Sequence, residues 1–197
     1  MNDEKDKIVY FVRHGETPAN LTNDYYNESN DVLTEHGIKQ AELLAERCSR
    51  LTIDCILSSD LNRARQTADI INDKIQKPIE YFPVLRETAL PTKVSYESDA
   101  WRFVYSEKES FEDRKNRAKL ILELILSRLE THLLMVVHAG VIKTVIPRMM
   151  LGEGLTPFFY EQFVPFTSVT NTGITVCKYI AAEERWKLVT FNDRAHL

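Results

Sequence analysis

Three side chains that suit phosphate chemistry stand directly after apolar runs of the sequence. Arg13 and His14 follow the run 8–12, and His138 follows the run 133–137. A neutral imidazole is a competent nucleophile toward phosphorus. A guanidinium binds phosphoryl oxygens through two parallel hydrogen bonds and stays charged at any working pH. These residue types at these positions indicate a site that binds a phosphoryl group and supplies a nucleophile to it.

Further charged side chains occur between the two histidines. Arg63 and Arg65 come shortly after the apolar segment 53–57, and Arg86 and Glu87 come after a later apolar segment. A carboxylic acid with a raised pKa can protonate a departing oxygen, which would make Glu87 a general acid. The structural alternatives are a solvated helix face for the first two arginines and a local ion pair with Arg86 for Glu87.

The apolar patterns predict the elements that must position these side chains. Short apolar runs rich in β-branched and aromatic residues are typical of buried strands, and apolar residues at helical spacing predict amphipathic helices. This spacing assigns Ile38 and Leu120, among others, to buried helix faces, whereas the segment from 86 to about 110 has no clean period. The predicted strands are 8–12, 53–57, 79–82, 133–137, 174–180 and 186–191, and the predicted helices are 34–48, 61–75, 110–130 and one that follows 138 and ends at 151.

The alternation of strands and helices predicts an α/β layer fold with a mostly parallel sheet. In such sheets, ligands bind beyond the carboxyl ends of the strands. The residues just after Val12, Leu57 and Val137 are therefore expected to lie together at one edge of the sheet. That edge would hold both histidines and at least two arginines.

The segments that carry these residues resemble the histidine phosphatase superfamily, also called the phosphoglycerate-mutase-like superfamily. The segment 13–17 reads Arg-His-Gly-Glu-Thr, with Asn20 further on, and matches the signature of that family. The segment 33–41 is similar to its Leu-Thr-x-x-Gly-x-x-Gln-Ala pattern. The segment 58–68 is similar to its second-arginine motif, and the segment 85–87 is similar to its acid-bearing motif.

His138 falls at the second histidine of the family, and the matching segments keep the family's order from about residue 8 to residue 145. The resemblance implies a three-layer α/β sandwich in which helices flank a mostly parallel, mixed central sheet. It also implies a role for each matching position. His14 would be the nucleophile that carries a phosphohistidine intermediate, Glu87 would be the proton donor, and the phosphoryl oxygens would be held by Arg13, Asn20, Arg63 and His138.

The chain departs from the family pattern at two places. Ala139 follows the second histidine where the family usually has glycine, and it keeps the backbone N–H that can contact an oxyanion. After Glu87 the chain reads Thr-Ala-Leu-Pro at 88–91, whereas many members continue with a Gly-x-Trp-Glu-Gly-like stretch. We therefore expect the segment around 88–110 to be a substrate-facing insert. Its aromatic side chains would form either a lid or part of the core, and they are Trp101, Phe103 and Tyr105.

Composition limits the class of protein. Among 197 residues, 25 Lys and Arg stand against 29 Asp and Glu, a formal net charge of −4, whereas a dedicated nucleic-acid binder carries a basic excess. The aliphatic runs are too short to cross a bilayer, and the charged N-terminus lacks the apolar segment of a secretory signal. Three cysteines cannot all pair within the chain. Because Cys48, Cys55 and Cys177 have apolar neighbours, we expect them to be reduced, in a cytoplasmic protein.

The sequence predicts a metal-independent phosphatase that acts on a small phosphomonoester, with neither a nucleic acid nor a membrane as partner. We expect residues 1–7 to be frayed and residues 8–197 to form a single domain. No spacing of histidine, cysteine and carboxylate residues resembles a zinc or magnesium site, so no metal or cofactor is predicted.

Other functions remain open on the same residues. Within the family, these are a phosphoglycerate-type mutase, which shares the first half-reaction, and a phosphohistidine-protein phosphatase. The alternative from another class is a phosphate-binding regulatory module without catalysis, although the presence of both histidines, both arginines and the carboxylate favours an enzyme. The sequence predicts neither the physiological substrate nor the oligomeric state.

Overall fold

The computed structural model describes residues 5–22, 31–87 and 109–197, together with the backbone of two strands at 92–97 and 100–104. Strands and helices alternate along most of this length. In chain order, the elements are β1 (Lys7–Arg13), α1 (Pro18–Thr22), α2 (Glu35–Cys48), β2 (Cys55–Ser58), α3 (Asn62–Ile75), β3 (Ile79–Tyr81), β4 (Thr92–Glu97), β5 (Ala100–Val104), α4 (Phe111–Ser127), β6 (His132–Val137), α5 (Ala139–Leu151), α6 (Pro157–Phe166), β7 (Ile174–Ile180) and β8 (Arg185–Asp193).

The central sheet places three strand ends side by side. Within the described residues it has six strands in the order β3-β2-β6-β1-β7-β8. The strands β3, β2, β6 and β1 run parallel, and β7 and β8 are antiparallel to their neighbours. Arg13 pairs with Val137, and Ser58 pairs with Val136. The carboxyl ends of β1, β2 and β6 therefore meet at one edge, as the sequence predicts.

Helices cover both faces of this sheet. The alternation along β1 shows the division, because successive side chains of a strand point to opposite faces. Val9 and Phe11 are buried against residues of α4 and α5, whereas Tyr10 and Val12 are buried against residues of α2 and α3. The sheet is thus the middle layer of three, which confirms the α/β sandwich.

Two predicted buried positions are wrong. Ile38 is 41% exposed and Leu120 is 54% exposed. The buried face of α2 passes instead through Gly37 and Gln40, because the loop after β1 packs there. The Gln40 Oε1 atom accepts a hydrogen bond of 2.9 Å from the backbone N–H of Glu16. Helical spacing alone does not reveal that a polar side chain is needed on the buried face.

Some predicted boundaries also differ from the structure. Lys7, assigned by the sequence to a frayed segment, is buried as the first residue of β1. Its ammonium donates hydrogen bonds to the carbonyl oxygens of Arg128 (2.6 Å) and Glu130 (3.0 Å). Those contacts lie where α4 has already ended, at Ser127 rather than at residue 130. The segment 86–110, which shows no clean period, contains the antiparallel pair β4 and β5.

Two helices, α1 and α6, were not predicted. Each begins with proline, Pro18 and Pro157, whose fixed φ suits the first position of a helix. With five and ten residues, they are too short to show a clear helical period. None of the helices in the described residues combines the length and the apolar character that crossing a membrane needs.

Certain predictions lie outside the described residues. The frayed state of residues 1–4 is one of them. The predicted role of the insert's aromatic side chains is another, because the side chains of β5 and of the segment after it are not described. These aromatic residues are Trp101, Phe103 and Tyr105.

Candidate functional site

The loop after β1 is held tightly against α3 and against the start of α2. The N–H of Gly15 donates a hydrogen bond of 3.0 Å to Thr67 Oγ1. A Cβ atom on Gly15 would lie 2.5 Å from the carbonyl oxygen of Gly37, and a Cβ atom on Gly37 would lie 2.1 Å from that of Glu16. No side chain fits at either glycine, so the two glycine-containing motifs together fix the backbone next to His14.

His14 is 2% exposed, and its ring is oriented from both sides. Its Nδ1 lies 2.7 Å from the carbonyl oxygen of Gly15, which can only accept, so Nδ1 carries the ring proton. The lone pair is then on Nε2, which accepts a hydrogen bond of 3.2 Å from Arg63 Nε. Burial, followed by the charges of Arg13 and Arg63, holds the pKa of His14 well below its usual range. His14 therefore presents a neutral imidazole, the form that can attack phosphorus.

His138 is fully buried at the end of β6, and the centroid of its ring is 5.1 Å from that of His14. Its Nε2 lies 2.8 Å from Ser59 Oγ, and its Nδ1 has no hydrogen-bond partner among the described residues. Burial, followed by proximity to His14 and Arg63, lowers the pKa of His138 well below its usual range. A buried nitrogen beside His14 that lacks a partner among the described residues is suited to bind a ligand oxygen.

The two arginines at the start of α3 have different partners. Arg63 donates from Nε to His14, as described above. Arg65 donates from Nε to the carbonyl oxygen of Asp60 (3.0 Å), and its guanidinium carbon lies 3.9 Å from the centroid of the Tyr81 ring. The fold therefore brings Arg63 to His14 and directs Arg65 to Asp60 and Tyr81.

Contacts that hold the arginines of the site were not predicted. Arg63 also forms an ion pair with Asp31, whose carboxylate accepts the N–H of Asn62 at 3.0 Å. Arg13 donates from Nη1 to the carbonyl oxygen of Val169 at 2.8 Å. These partners are far apart in the sequence, and Asp31 lies in a loop, so periodicity could not find them.

Asn20 lies against the loop that carries His14. Its Oδ1 accepts hydrogen bonds from the N–H of Thr17 (3.1 Å) and from Asn171 Nδ2 (3.0 Å). The same Nδ2 of Asn171 donates to the carbonyl oxygen of His14 at 3.0 Å. Asn20 and Asn171 together therefore position the backbone of His14. Sequence reasoning missed Asn171, because it belongs to no motif.

Glu87 reaches the start of α5, the helix that follows His138. Its Oε1 accepts a hydrogen bond of 2.9 Å from the N–H of Gly140. Ala139, which is 9% exposed, is the first residue of this helix, and the N–H groups of a first turn have no acceptor within their own helix. A carboxyl group and helix N–H groups thus meet beside the second histidine. Such an arrangement can bind an anion and transfer a proton to it.

Lys143 is a further cation of α5 near these groups, and it belongs to no motif that points to the site. Its Nζ donates a hydrogen bond of 2.7 Å to the carbonyl oxygen of Val164. Burial and then the charge of Arg13 lower the pKa of Lys143, and the charge of Glu87 opposes this shift. The candidate site is therefore rich in positive charge.

The cysteines offer no second nucleophile. All three are free and buried, and burial raises the pKa of Cys48 and Cys177 to about 12 and that of Cys55 to about 11. Such thiols stay neutral and are poor nucleophiles. Over the ranges that the structure describes, no group of three or more histidine, cysteine and carboxylate side chains could hold a metal ion.

Comparison with known proteins identifies the family. The family model described as "Histidine phosphatase superfamily (branch 1)" matches residues 9–194. The chain therefore belongs to the histidine phosphatase superfamily. This result confirms the resemblance found in the sequence.

Named relatives include mutases and a phosphatase. A stretch of 79 residues is 47% identical to "Probable phosphoglycerate mutase GpmB" of Yersinia pestis (strain Pestoides F), and it covers 40% of this chain and 37% of that protein. Phosphoserine phosphatase from Entamoeba histolytica, in complex with 3-phosphoglyceric acid, has a TM-score of 0.72 at 25% identity, over 96% of this chain and 98% of that chain. Phosphoglycerate mutase from Bacillus anthracis str. Sterne has a TM-score of 0.71 at 18% identity, over 98% of this chain and 96% of that chain, which shows a shared fold.

Proposed function

We propose that this chain hydrolyses a small phosphomonoester through a phosphohistidine at His14, without a metal ion. The observation that carries the proposal is the neutral, buried ring of His14, whose Nε2 lone pair faces Arg63. Arg13 and Arg63 supply the positive charge that a metal would otherwise bring to the phosphoryl oxygens. The free, buried cysteines support a cytoplasmic location.

In the first step, Nε2 of His14 attacks phosphorus in line with the departing oxygen. The N–P bond forms while the P–O bond to the leaving group breaks. Glu87, as a carboxylic acid, gives its proton to the departing oxygen, so that an alcohol leaves and a carboxylate remains. The groups that would stabilise the charge on the three other oxygens are the side chains of Arg13, Arg63, His138 and Asn20 and the N–H of Ala139.

In the second step, a water molecule replaces the alcohol. The Glu87 carboxylate takes a proton from the water as its oxygen attacks the phosphorus of phosphohistidine. The N–P bond breaks, the electron pair returns to Nε2 of His14, and inorganic phosphate leaves. The enzyme is then back in its starting form, with Glu87 protonated.

A phosphoglycerate-type mutase is the second candidate, favoured by the 47% identity to a probable mutase over 79 residues. A mutase carries out the same first step but returns the phosphoryl group to a bound product instead of water. The neighbour that was solved with 3-phosphoglyceric acid also favours a small phosphorylated acid as substrate.

A panel of phosphomonoesters, assayed for release of inorganic phosphate, tests the proposal. We expect turnover by the wild type and none by His14→Ala. The matched control is His132→Gln, because His132 lies at the opposite end of β6 from His138, and this variant should retain activity. Isomerisation of a phosphoglycerate without phosphate release would favour the mutase. Absence of any His14-dependent release or transfer would contradict both and favour a phosphate-binding module.

A further inference from the structure

The backbone that carries Glu87 is held by charged contacts outside the phosphate site. The side chain of Arg86 forms a bidentate ion pair with Asp60, with Nε–Oδ1 and Nη2–Oδ2 distances of 2.8 and 2.7 Å. The carbonyl oxygen of Arg86 accepts a hydrogen bond of 2.9 Å from Arg117 Nη1. Arg117 is fixed in turn by an ion pair with Glu109. Arg86 is thus held by α4 on one side and by the loop before α3 on the other.

The partners that hold Arg86 are more buried than Arg86 itself. The side chains of Glu109 and Arg117 are 9% and 24% exposed, and that of Asp60 is 16% exposed, although Arg86 itself is half exposed. On the amino side, Leu85 is fully buried, and the N–H of Arg86 donates to the carbonyl oxygen of Pro83 at 3.1 Å. The segment just before Glu87 is therefore held on several sides.

We infer that Arg117 and Asp60 are positioning residues for the proton donor. By holding Arg86, they keep the carboxyl group of Glu87 at the first turn of α5, where it contacts the N–H of Gly140. Proton transfer needs the donor within hydrogen-bond reach of the departing oxygen, so a backbone shift of about 1 Å would slow this transfer greatly. The inference rests on the proposed function, since it takes Glu87 as the general acid.

Single-turnover kinetics with two leaving groups test the inference. An alkyl phosphate needs a proton on its departing oxygen, whereas a nitrophenyl phosphate leaves readily without one. We expect Arg117→Met and Asp60→Asn each to slow phosphoenzyme formation from the alkyl phosphate roughly tenfold or more, and from the nitrophenyl phosphate less than about threefold. Arg117→Lys keeps a donor and should recover most of the lost rate.

Controls separate this inference from the proposed function. Arg65→Met changes a neighbouring arginine that donates a hydrogen bond to the carbonyl oxygen of Asp60 rather than to Arg86 or Glu87, and it should leave both rates unchanged. Arg117→Met leaves Glu109 with the longer ion pair to Arg114 (3.9 Å) and could unfold the chain, so thermal unfolding is measured for each variant. Asp60→Asn is the second, independent variant, because its partner Arg86 is half exposed.

The kinetic results separate the positioning role of Arg117 and Asp60 from the general-acid role of Glu87. If Glu87→Gln shows the leaving-group dependence but both folded positioning variants slow the two substrates equally, the positioning inference is overturned and the proton donor stands. If Glu87→Gln itself slows both substrates equally, the general acid of the proposed function is wrong, and the positioning inference is overturned with it. If Arg117→Met, Asp60→Asn and Glu87→Gln share the dependence and Arg117→Lys restores the rate, the inference is supported.

Discussion

Both histidines of the site are held neutral for the same physical reason. Each is buried, and each lies among the guanidinium groups of Arg13 and Arg63, which disfavour a second positive charge nearby. The positive charge that an anion needs is thus supplied by side chains that cannot lose it, while the imidazoles keep their lone pairs. This division of roles explains why the motifs contain arginine and histidine together.

Arg63→Ala tests the assignment of the second arginine at this scale. Because Arg63 contacts the nucleophile and Arg65 contacts Asp60 and Tyr81, we expect kcat/KM to fall by roughly 10²–10³ in Arg63→Ala. Arg65→Ala should remain within about threefold of the wild type, since it removes no contact with the anion. A large loss in Arg65→Ala with near-normal activity in Arg63→Ala would show that the wrong arginine was chosen.

At the scale of elements, the contact between the loop after β1 and the start of α2 determines the position of His14. Gly37 lies in this helix, and a Cβ there would lie 2.1 Å from the backbone oxygen of Glu16. Alanine ordinarily favours a helix over glycine by about 1 kcal/mol, but the neighbour here is backbone and cannot yield easily. We therefore expect the steric clash, rather than the helix preference of alanine, to determine whether Gly37→Ala stabilises or destabilises the chain.

We expect Gly37→Ala to lower the free energy of unfolding by about 1–3 kcal/mol and to reduce activity as the loop is displaced. The matched control is Gly154→Ala, since a Cβ at Gly154 would meet nothing within 4 Å and its φ is not positive. Chemical denaturation of both variants measures the difference. An unchanged or increased stability of Gly37→Ala would contradict the close packing described here.

The elements also show how much the sequence could predict. Strands β1, β6 and β7 and helices α2, α3 and α5 were predicted closely, because each is an apolar run or stripe. The Thr34 cap marks the start of α2, and Gly152 marks the end of α5. The motifs placed Arg13, His14, Arg63, Glu87 and His138 at the correct edge of the sheet. Asp31 and Asn171 were not found, because their contacts depend on tertiary structure and leave no periodic signal. For the same reason, the network through Arg117 could not be predicted.

At the scale of the whole molecule, the buried histidines link stability to pH. Their pKa values are lowered in the folded chain, whereas unfolded histidine has a pKa of about 6.5, so the unfolded chain binds more protons as the pH falls below about 6.5. The free energy of unfolding is therefore not reduced by these histidines above that pH, and it falls as the pH drops below it. Carboxyl groups with lowered pKa values, such as Asp60, make the free energy of unfolding depend on pH only at lower pH.

We expect the melting temperature of the wild type to fall between pH 7.5 and pH 5.5. A His14→Asn/His138→Asn double variant lacks both groups and should show a smaller fall, while His196, whose pKa is also lowered, contributes equally to both proteins. Equal falls in the two proteins would mean that the site histidines are not the source of the pH dependence.

Metal dependence is also a property of the whole molecule. If Arg13 and Arg63 supply the charge on the phosphoryl oxygens, activity should survive prolonged treatment with EDTA followed by removal of the chelator. Loss of activity that a single divalent ion restores would contradict a metal-independent mechanism. The assay uses the wild type with an aryl phosphate, before and after chelation.

Rapid-quench trapping measures directly whether the phosphoryl group passes through His14. Wild-type protein is mixed with a radiolabelled aryl phosphate, quenched in base within the first turnover, and the label is located by peptide mapping. We expect a label on His14 that is stable in base and lost in acid, present in His132→Gln and absent from His14→Ala. A label on another side chain, such as Ser59 or Cys55, or turnover without any labelled protein, would contradict it.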